Sequence, residues 1–147
     1  MTGLQIVLAD DDADDRSLFR EAVMEASSGT ELVTLEDGQE LMDYLDEIEH
    51  PPPPHIIFLD INMPCKTGDV CLKEIRTRER FRNVPIVMFS TSSHLPDIDQ
   101  SYESGANMYV SKSVFFEDEV SILKKIISTD WKAYIPKPPK NNFVYRQ

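Results

Sequence analysis

The stretch IIFLDINMP, residues 56–64, places an acidic side chain directly after four apolar residues. Residues 56–59 are too few for a helix and include two isoleucines, which favours a β-strand. No polar residue alternates with them, so both faces of the strand are expected to be covered, as in a parallel sheet between helices. The carboxylate of Asp60 therefore stands at the carboxyl end of a buried strand.

Four further apolar runs of the same kind occur at residues 4–9, 32–35, 86–89 and 108–110. Residues with helical spacing separate the runs, such as Phe19 and Val23 after the first and Leu41 and Leu45 after the second. Five strand–helix repeats joined by right-handed crossovers predict a doubly wound α/β fold, the flavodoxin-like (βα)5 sheet with strand order 2-1-3-4-5. Ligands of such sheets bind beyond the carboxyl ends of the strands.

Composition limits the classes of function. The chain has 147 residues, the length of one ordinary domain, and no apolar run approaches the roughly 20 residues that cross a bilayer. Its net charge of −11 repels the phosphates of nucleic acids. Two cysteines and no leader-like N-terminus favour a reducing cytoplasm. We therefore expect a cytoplasmic protein with no nucleic-acid binding and no membrane insertion.

Proline-containing segments interrupt the pattern in two places. Residues 51–54 are all proline and predict a stiff connector into the third strand. After Trp131 the helical pattern ends, and the last residues are basic, with no acid after Asp130. We expect a folded domain over residues 1–132 and a mobile C-terminal tail over residues 133–147, with no output domain.

Polar residues follow four of the predicted strands. Asp10 and Asp11 follow the first strand, Asp60 the third, Ser90 the fourth and Lys112 the fifth. The first and third strands are neighbours in the predicted order, so three carboxylates would crowd one cleft and require a cation. Oxygen ligands with room for water suit Mg²⁺. A carboxylate in such a cleft can accept a phosphoryl group, with its charge neutralised by Mg²⁺, the lysine and the hydroxyl.

Each of these residues also has a purely structural interpretation. Asp60 alone could cap a turn, Lys112 alone could be an exposed lysine, and Ser90 could be an ordinary strand-end hydroxyl. Their joint placement at one sheet edge favours a functional site. Asp14 and Asp15 are predicted to be no more than the acidic first turn of a helix, stabilised by its dipole.

Four segments together resemble response-regulator receiver domains: LADDD at 8–12, LDINMP at 59–64 with Gly68, Ser90 after Pro85, and YVSK at 109–112. The resemblance covers residues 4–128 in the right order, which makes coincidence a poor explanation. The sequence STSS at 90–93 and the late Trp131 are most similar to stand-alone single-domain receivers, including those of phytochromes.

The resemblance implies a role for each matching residue. Asp60 would be phosphorylated, Lys112 would pair with the phosphoryl group, and Ser90 and Tyr109 would be the switch residues that respond to it. The implied Mg²⁺ ligands are the carboxylates and one main-chain carbonyl: Asp10 (largely through water), Asp11, Asp60 and the carbonyl of Asn62.

These roles imply a single-domain response regulator of a two-component phosphorelay. The phosphoryl donor would be a sensor histidine kinase, with phytochrome-like kinases among the candidates, or a histidine phosphotransfer protein. Output would be phosphorylation-dependent contact with an unknown downstream protein, and the chain would catalyse only its own phosphorylation and dephosphorylation. These residues fit equally a shuttle that passes the phosphoryl group on to a histidine phosphotransfer protein and a terminal output regulator. The tail and the face of Tyr102 are also candidates for joining two copies in a homodimer.

Two other functions remain as alternatives. A Mg²⁺-dependent phosphohydrolase would use Asp60 as nucleophile, but related phosphatases have Asp-x-Asp where this chain has Asn62. A phosphorylation-independent scaffold would not need the complete polar set. The chain also departs from the receiver pattern at Ser113, where a proline after a cis bond is usual, and at Thr91, which is bulkier than the common alanine.

Overall fold

The computed structural model describes residues 3–48 and 53–145, which form five strands and five α-helices. The strands are Gln5–Ala9 (β1), Glu31–Leu35 (β2), Ile56–Leu59 (β3), Ile86–Ser90 (β4) and Met108–Ser111 (β5). The helices are Ala13–Ala26 (α1), Gly38–Glu47 (α2), Gly68–Arg76 (α3), Leu95–Glu103 (α4) and Phe116–Ile127 (α5). Short 3-10 turns cover Glu79–Phe81, Trp131–Tyr134 and Lys140–Asn142.

All strand pairs of the sheet are parallel, in the order β2-β1-β3-β4-β5. The predicted flavodoxin-like fold is therefore confirmed. Strand ends differ from the prediction by one residue in several places. For example, β4 extends to Ser90 and β5 extends to Ser111. These two serines are paired with each other in the sheet. Hydrophobicity alone does not detect these polar strand ends.

Apolar layers cover both faces of the sheet. On one face, Phe19 of α1 meets Phe58 and Phe89 of the sheet edge to face, with ring centroids 4.9 and 5.5 Å apart. On the other face, Leu41 of α2 and Leu72 of α3 are fully buried. Burying each such side chain contributes about 1.5–3 kcal/mol, which explains why the strands are apolar on both sides.

The C-terminal segment over residues 133–145, here called the C-terminal strap, packs on the domain, whereas the sequence predicts a mobile tail there. Phe143 is 1% exposed, and its ring lies 5.1 Å from that of Tyr102. The Tyr109 N–H donates to the Phe143 carbonyl at 3.0 Å, and the Tyr145 N–H donates to the Tyr109 carbonyl at 2.8 Å. A few aromatic residues anchor a segment whose average composition is polar.

Part of the predicted proline connector, at residues 51 and 52, lies outside the described residues, as do residues 146 and 147 of the predicted tail. Within the described ranges, no helix combines the length and the apolar character that a bilayer crossing requires.

Candidate functional site

Hydrogen bonds just past the strand ends hold the polar residues at one edge of the sheet. The Asp60 N–H donates to the Ala9 carbonyl at 3.0 Å, and the Lys112 N–H donates to the Ser90 carbonyl at 2.8 Å. The Asp10 N–H likewise bonds to the carbonyl at the end of β2. Each residue thus continues the ladder of its strand, so the backbone positions these side chains.

Three carboxylates converge there, as the sequence predicts. One oxygen from each of Asp10, Asp11 and Asp60 lies within 4.8 Å of the others. Asp10 is 1% exposed and Asp60 is 7% exposed, whereas Asp11 faces solvent. Burial raises the pKa of Asp10 above its usual 3.8, while hydrogen bonds from Lys112 and the Asp12 N–H oppose this shift. A group of oxygen donors with one side open to water fits a divalent cation.

Lys112 is the cation that the structure places among these acids. Its side chain is 7% exposed, and Nζ donates to Asp10 Oδ2 at 2.7 Å, Asp15 Oδ2 at 2.9 Å and Asp60 Oδ2 at 3.1 Å. Burial alone would lower the pKa of Lys112, but its hydrogen bonds to Asp10 and Asp15 and the charge of Asp60 raise that pKa above its usual 10.5. All three ammonium hydrogens are used, so the group is charged and oriented.

Two acidic residues near Lys112 were not predicted to belong to the site. Asp15 lies in the acidic first turn of α1, as the sequence predicts, but it also binds Lys112 directly, which the sequence interpretation did not include. Glu119 of α5 is 2% exposed, and burial raises its pKa to about 7, helped by the charge of Asp15. Helical spacing could have indicated Glu119, which falls on the buried face of α5, whereas no spacing rule indicates Asp15.

Ser90 and Tyr109, the predicted switch residues, lie together inside the protein. Ser90 is 1% exposed, and its Oγ accepts from the Ser92 N–H at 3.2 Å. Tyr109 is fully buried, and its hydroxyl donates to the Ser92 carbonyl at 2.7 Å. Burial raises the pKa of Tyr109, and hydrogen bonds with Ser90 and Ser92 oppose that shift. The aromatic ring is therefore in the inward position.

The loop after β3 packs tightly against Asp60. A Cβ on Gly68 would lie 2.2 Å from the Asp60 carbonyl oxygen, so only glycine fits without a shift of the backbone. The Gly68 N–H donates to the Ile61 carbonyl at 2.7 Å and closes the loop. Asn62, between them in sequence, has an exposed side chain.

The departures from the receiver pattern are accommodated locally. Among the described residues, the only cis peptide bond joins Ile135 to Pro136, so the Lys112–Ser113 bond is trans. The Ser113 Oγ accepts from the Phe115 N–H at 3.1 Å and organises the turn before α5. Thr91 is exposed at the end of β4.

Comparison with known proteins gives consistent matches. A family model described as the response regulator receiver domain matches residues 6–126. Response regulator Rcp1 from Synechocystis sp. is 33% identical over 126 residues, which cover 84% of this chain and 86% of that protein. The crystal structure of the phosphorylated cyanobacterial phytochrome response regulator RcpA is 32% identical with a TM-score of 0.77, covering 90% of this chain and 94% of that chain.

A second solved structure, the Mn²⁺-bound form of response regulator Rcp1, is 32% identical with a TM-score of 0.75 and covers 92% of this chain and 99% of that chain. The likeness to phytochrome-associated receivers, predicted from the serine- and threonine-rich segment after β4 and from the late tryptophan, is confirmed.

Proposed function

Since this chain belongs to the response regulator receiver domain family, we propose that it accepts a phosphoryl group on Asp60 and signals by binding another protein in a phosphorylation-dependent way. The observation that carries this proposal is the contact of one buried ammonium, that of Lys112, with the carboxylates of both Asp10 and Asp60. Such a cleft already compensates negative charge, which a transferred phosphoryl group requires.

Mg²⁺ is the proposed metal. The carboxylates of Asp10, Asp11 and Asp60 would hold it, with the main-chain carbonyl of Asn62, and Asp10 would act largely through water. The convergence of three carboxylates within 4.8 Å supports a divalent ion, as does the solved Mn²⁺-bound form of Rcp1. When bound, the ion would supply positive charge to the oxygens of the phosphoryl group.

Asp60 is the proposed nucleophile. One of its carboxylate oxygens forms a bond to phosphorus while the bond from phosphorus to the donor breaks, and the electron pair leaves with the donor. Lys112 keeps its proton throughout and moves its hydrogen bond from Asp60 Oδ2 to a phosphoryl oxygen. Because Gly68 has no side chain, it packs directly against the Asp60 backbone, which can therefore stay fixed during this change.

Ser90 and Tyr109 are the proposed reporters of phosphorylation. Both are buried next to Ser92, at the end of β4, so a hydroxyl that moves toward the phosphoryl group would change the space available to the tyrosine ring. Tyr109 also bonds through its backbone to the C-terminal strap. We propose that this path alters the surface formed by α4, β5 and the strap, where the downstream protein would bind.

The proposed donor is a histidine kinase or a histidine phosphotransfer protein. The likeness to RcpA, described as a phytochrome response regulator, supports a phytochrome-like kinase. A cytoplasmic location, a homodimer and the absence of turnover on external substrates remain predictions made from the sequence. The same residues would serve a protein that passes the phosphoryl group on to a histidine phosphotransfer protein and one that is the final output regulator.

Intact mass after incubation with acetyl phosphate tests the proposal. Wild type should gain one phosphoryl group only when Mg²⁺ is present, and Asp60→Asn should gain none. Asp14→Asn removes an equal charge from an exposed position of α1 and should behave as wild type. No gain with acetyl phosphate or a phosphorylated kinase would favour a scaffold, and steady Mg²⁺-dependent turnover of a small phosphomonoester would indicate a phosphohydrolase.

A further inference from the structure

We propose that Asp15 is a positioning residue for Lys112, and that it keeps the ammonium at the cleft when the carboxylates of Asp10 and Asp60 are engaged elsewhere. This inference rests on the proposed function, because it assumes a divalent ion on Asp10 and Asp60. It adds a carboxylate from α1 to the phosphorylation site.

The three acceptors of Lys112 differ in what else they are required to do. Asp10 and Asp60 belong to the group of carboxylates proposed as metal ligands, and Asp60 is also the proposed nucleophile. Asp15 is outside that group, and its Oδ2 lies 2.9 Å from Lys112 Nζ. When metal and phosphoryl group compete for the other two carboxylates, Asp15 is the one carboxylate acceptor of Lys112 that lies outside the proposed metal site. A buried lysine without any acceptor would lose its orientation.

The first turn of α1 holds Asp15 in place relative to the cleft. The Asp12 N–H donates to Asp10 Oδ1 at 3.0 Å, and Asp12 Oδ1 in turn accepts from the Asp15 N–H at 2.9 Å. Arg16 Nη1 donates to the Asp10 carbonyl at 2.7 Å. Asp12 is thus the N-cap of α1, and the helix start is bonded to Asp10. The distance between Asp15 and the metal-binding edge is therefore fixed by short covalent and hydrogen-bonded links.

A second observation places a further buried acid near enough to Lys112 to feel its charge. Glu119 is 2% exposed, and its Oε2 has no hydrogen-bond partner among the residues that the structure describes. An unpaired buried carboxyl oxygen is unfavourable unless a nearby positive charge compensates it. Lys112, which directly follows β5, attracts the charge of Glu119 in addition to its ion pairs with Asp10, Asp15 and Asp60.

The inference is tested by nuclear magnetic resonance of the lysine side-chain ammonium groups, in which only hydrogen-bonded, slowly exchanging groups give signals. Lys112 should give such a signal in wild type, assigned by its loss in Lys112→Arg. The signal should shift but persist when Mg²⁺ is added. In Asp15→Asn it should be lost on addition of Mg²⁺, because the ion draws on the carboxylates of Asp10 and Asp60 and the neutral amide is a weaker acceptor than the carboxylate it replaces. Asp14→Asn is the matched charge control and should behave as wild type.

A kinetic measurement complements the spectra. The rate of phosphorylation by acetyl phosphate at saturating Mg²⁺ should fall about tenfold in Asp15→Asn, while Asp14→Asn stays within about twofold of wild type. Asp15→Glu, which keeps the carboxylate, should recover part of the rate. In a Lys112→Arg background, Asp15→Asn should have little further effect, which a loss of general stability would not produce.

Three spectroscopic results would overturn the inference. The first is a Lys112 signal that persists with Mg²⁺ in Asp15→Asn, and the second is one that disappears with Mg²⁺ in wild type. The third is a wild-type spectrum that Mg²⁺ does not change, which removes the proposed metal site as well. If wild type is phosphorylated and Asp15→Asn reacts at the same rate, the inference fails while the proposed function stands.

Discussion

The single positive charge of Lys112 compensates the negative charges of three carboxylates in the cleft. A lysine this deeply buried is uncommon, because losing hydration disfavours its charge. Here three carboxylates at 2.7–3.1 Å more than offset that cost, as the raised pKa of Lys112 indicates. Asp10, Asp60 and Lys112 are anchored to strand ends and Asp15 to the first turn of α1, so this charge pattern is built into the fold.

Glu119 leads to a prediction about stability and pH. Its pKa is about 7 in the folded protein, against a usual 4.5, so the native state binds more protons than the unfolded chain between these values. The free energy of unfolding that this group contributes therefore falls as pH rises from 4.5 to 7 and stays low above it. Glu119→Gln, which cannot ionise, should be more stable than wild type at pH 8 by up to about 3 kcal/mol, with a smaller difference at pH 5.

Urea denaturation of wild type and Glu119→Gln at the two pH values measures this difference. Glu117→Gln, in the same turn of α5 but exposed, should change stability by less than about 0.5 kcal/mol at either pH. A stability difference between Glu119→Gln and wild type that does not grow with pH would show that the folded protein keeps Glu119 ionised.

At the scale of elements, the strap acts as a short extra layer on β5. Phe143 is its anchor, with its ring against Tyr102 and Tyr109 and its carbonyl bonded to the Tyr109 N–H. Phe143→Ala should release the strap and lower the free energy of unfolding by about 2 kcal/mol. This is less than the 3–5 kcal/mol typical of a central phenylalanine, because a terminal segment can detach instead of leaving a cavity.

Amide hydrogen exchange locates the effect of Phe143→Ala. The amides of Tyr109 and Tyr145, which form the two hydrogen bonds between strap and β5, should exchange faster, while the amides of β1 and β3 should not. Asn141→Ala changes an exposed side chain of the same segment and should leave all of them protected. Unchanged protection at Tyr145 in Phe143→Ala would contradict the anchoring role.

The sequence predicted the five strands and five helices because each strand contains a short, mainly apolar run and each helix carries an apolar face. It failed at the strap, where three consecutive residues, Phe143, Val144 and Tyr145, attach a segment of low average hydrophobicity. Window averages do not resolve an anchor that short. Strand ends were also missed where serines extend the ladder, because backbone pairing does not require an apolar side chain.

At the scale of the whole molecule, the parallel strand order converts scattered residues into one site. Asp10, Asp60 and Lys112 were predictable because they directly follow strands whose carboxyl ends must meet at one edge. Asp15 and Glu119 come from α1 and α5, and their approach to Lys112 depends on how these helices rotate and pack against each other. That packing comes from side-chain shape across the whole layer, which a strand-by-strand interpretation does not contain.

The concentration of acids at one edge predicts that Mg²⁺ stabilises the folded protein. The unfolded chain disperses Asp10, Asp11 and Asp60, so an ion that needs all three binds the native state preferentially. At a concentration tenfold above the dissociation constant, Mg²⁺ should add about 1.4 kcal/mol to the free energy of unfolding. Denaturation with NaCl at equal ionic strength separates this effect from screening of the net charge of −11. Asp11→Asn should lose most of the Mg²⁺-specific part and Asp14→Asn should keep it, whereas equal stabilisation of both variants would mean that Mg²⁺ acts on the acidic surface in general.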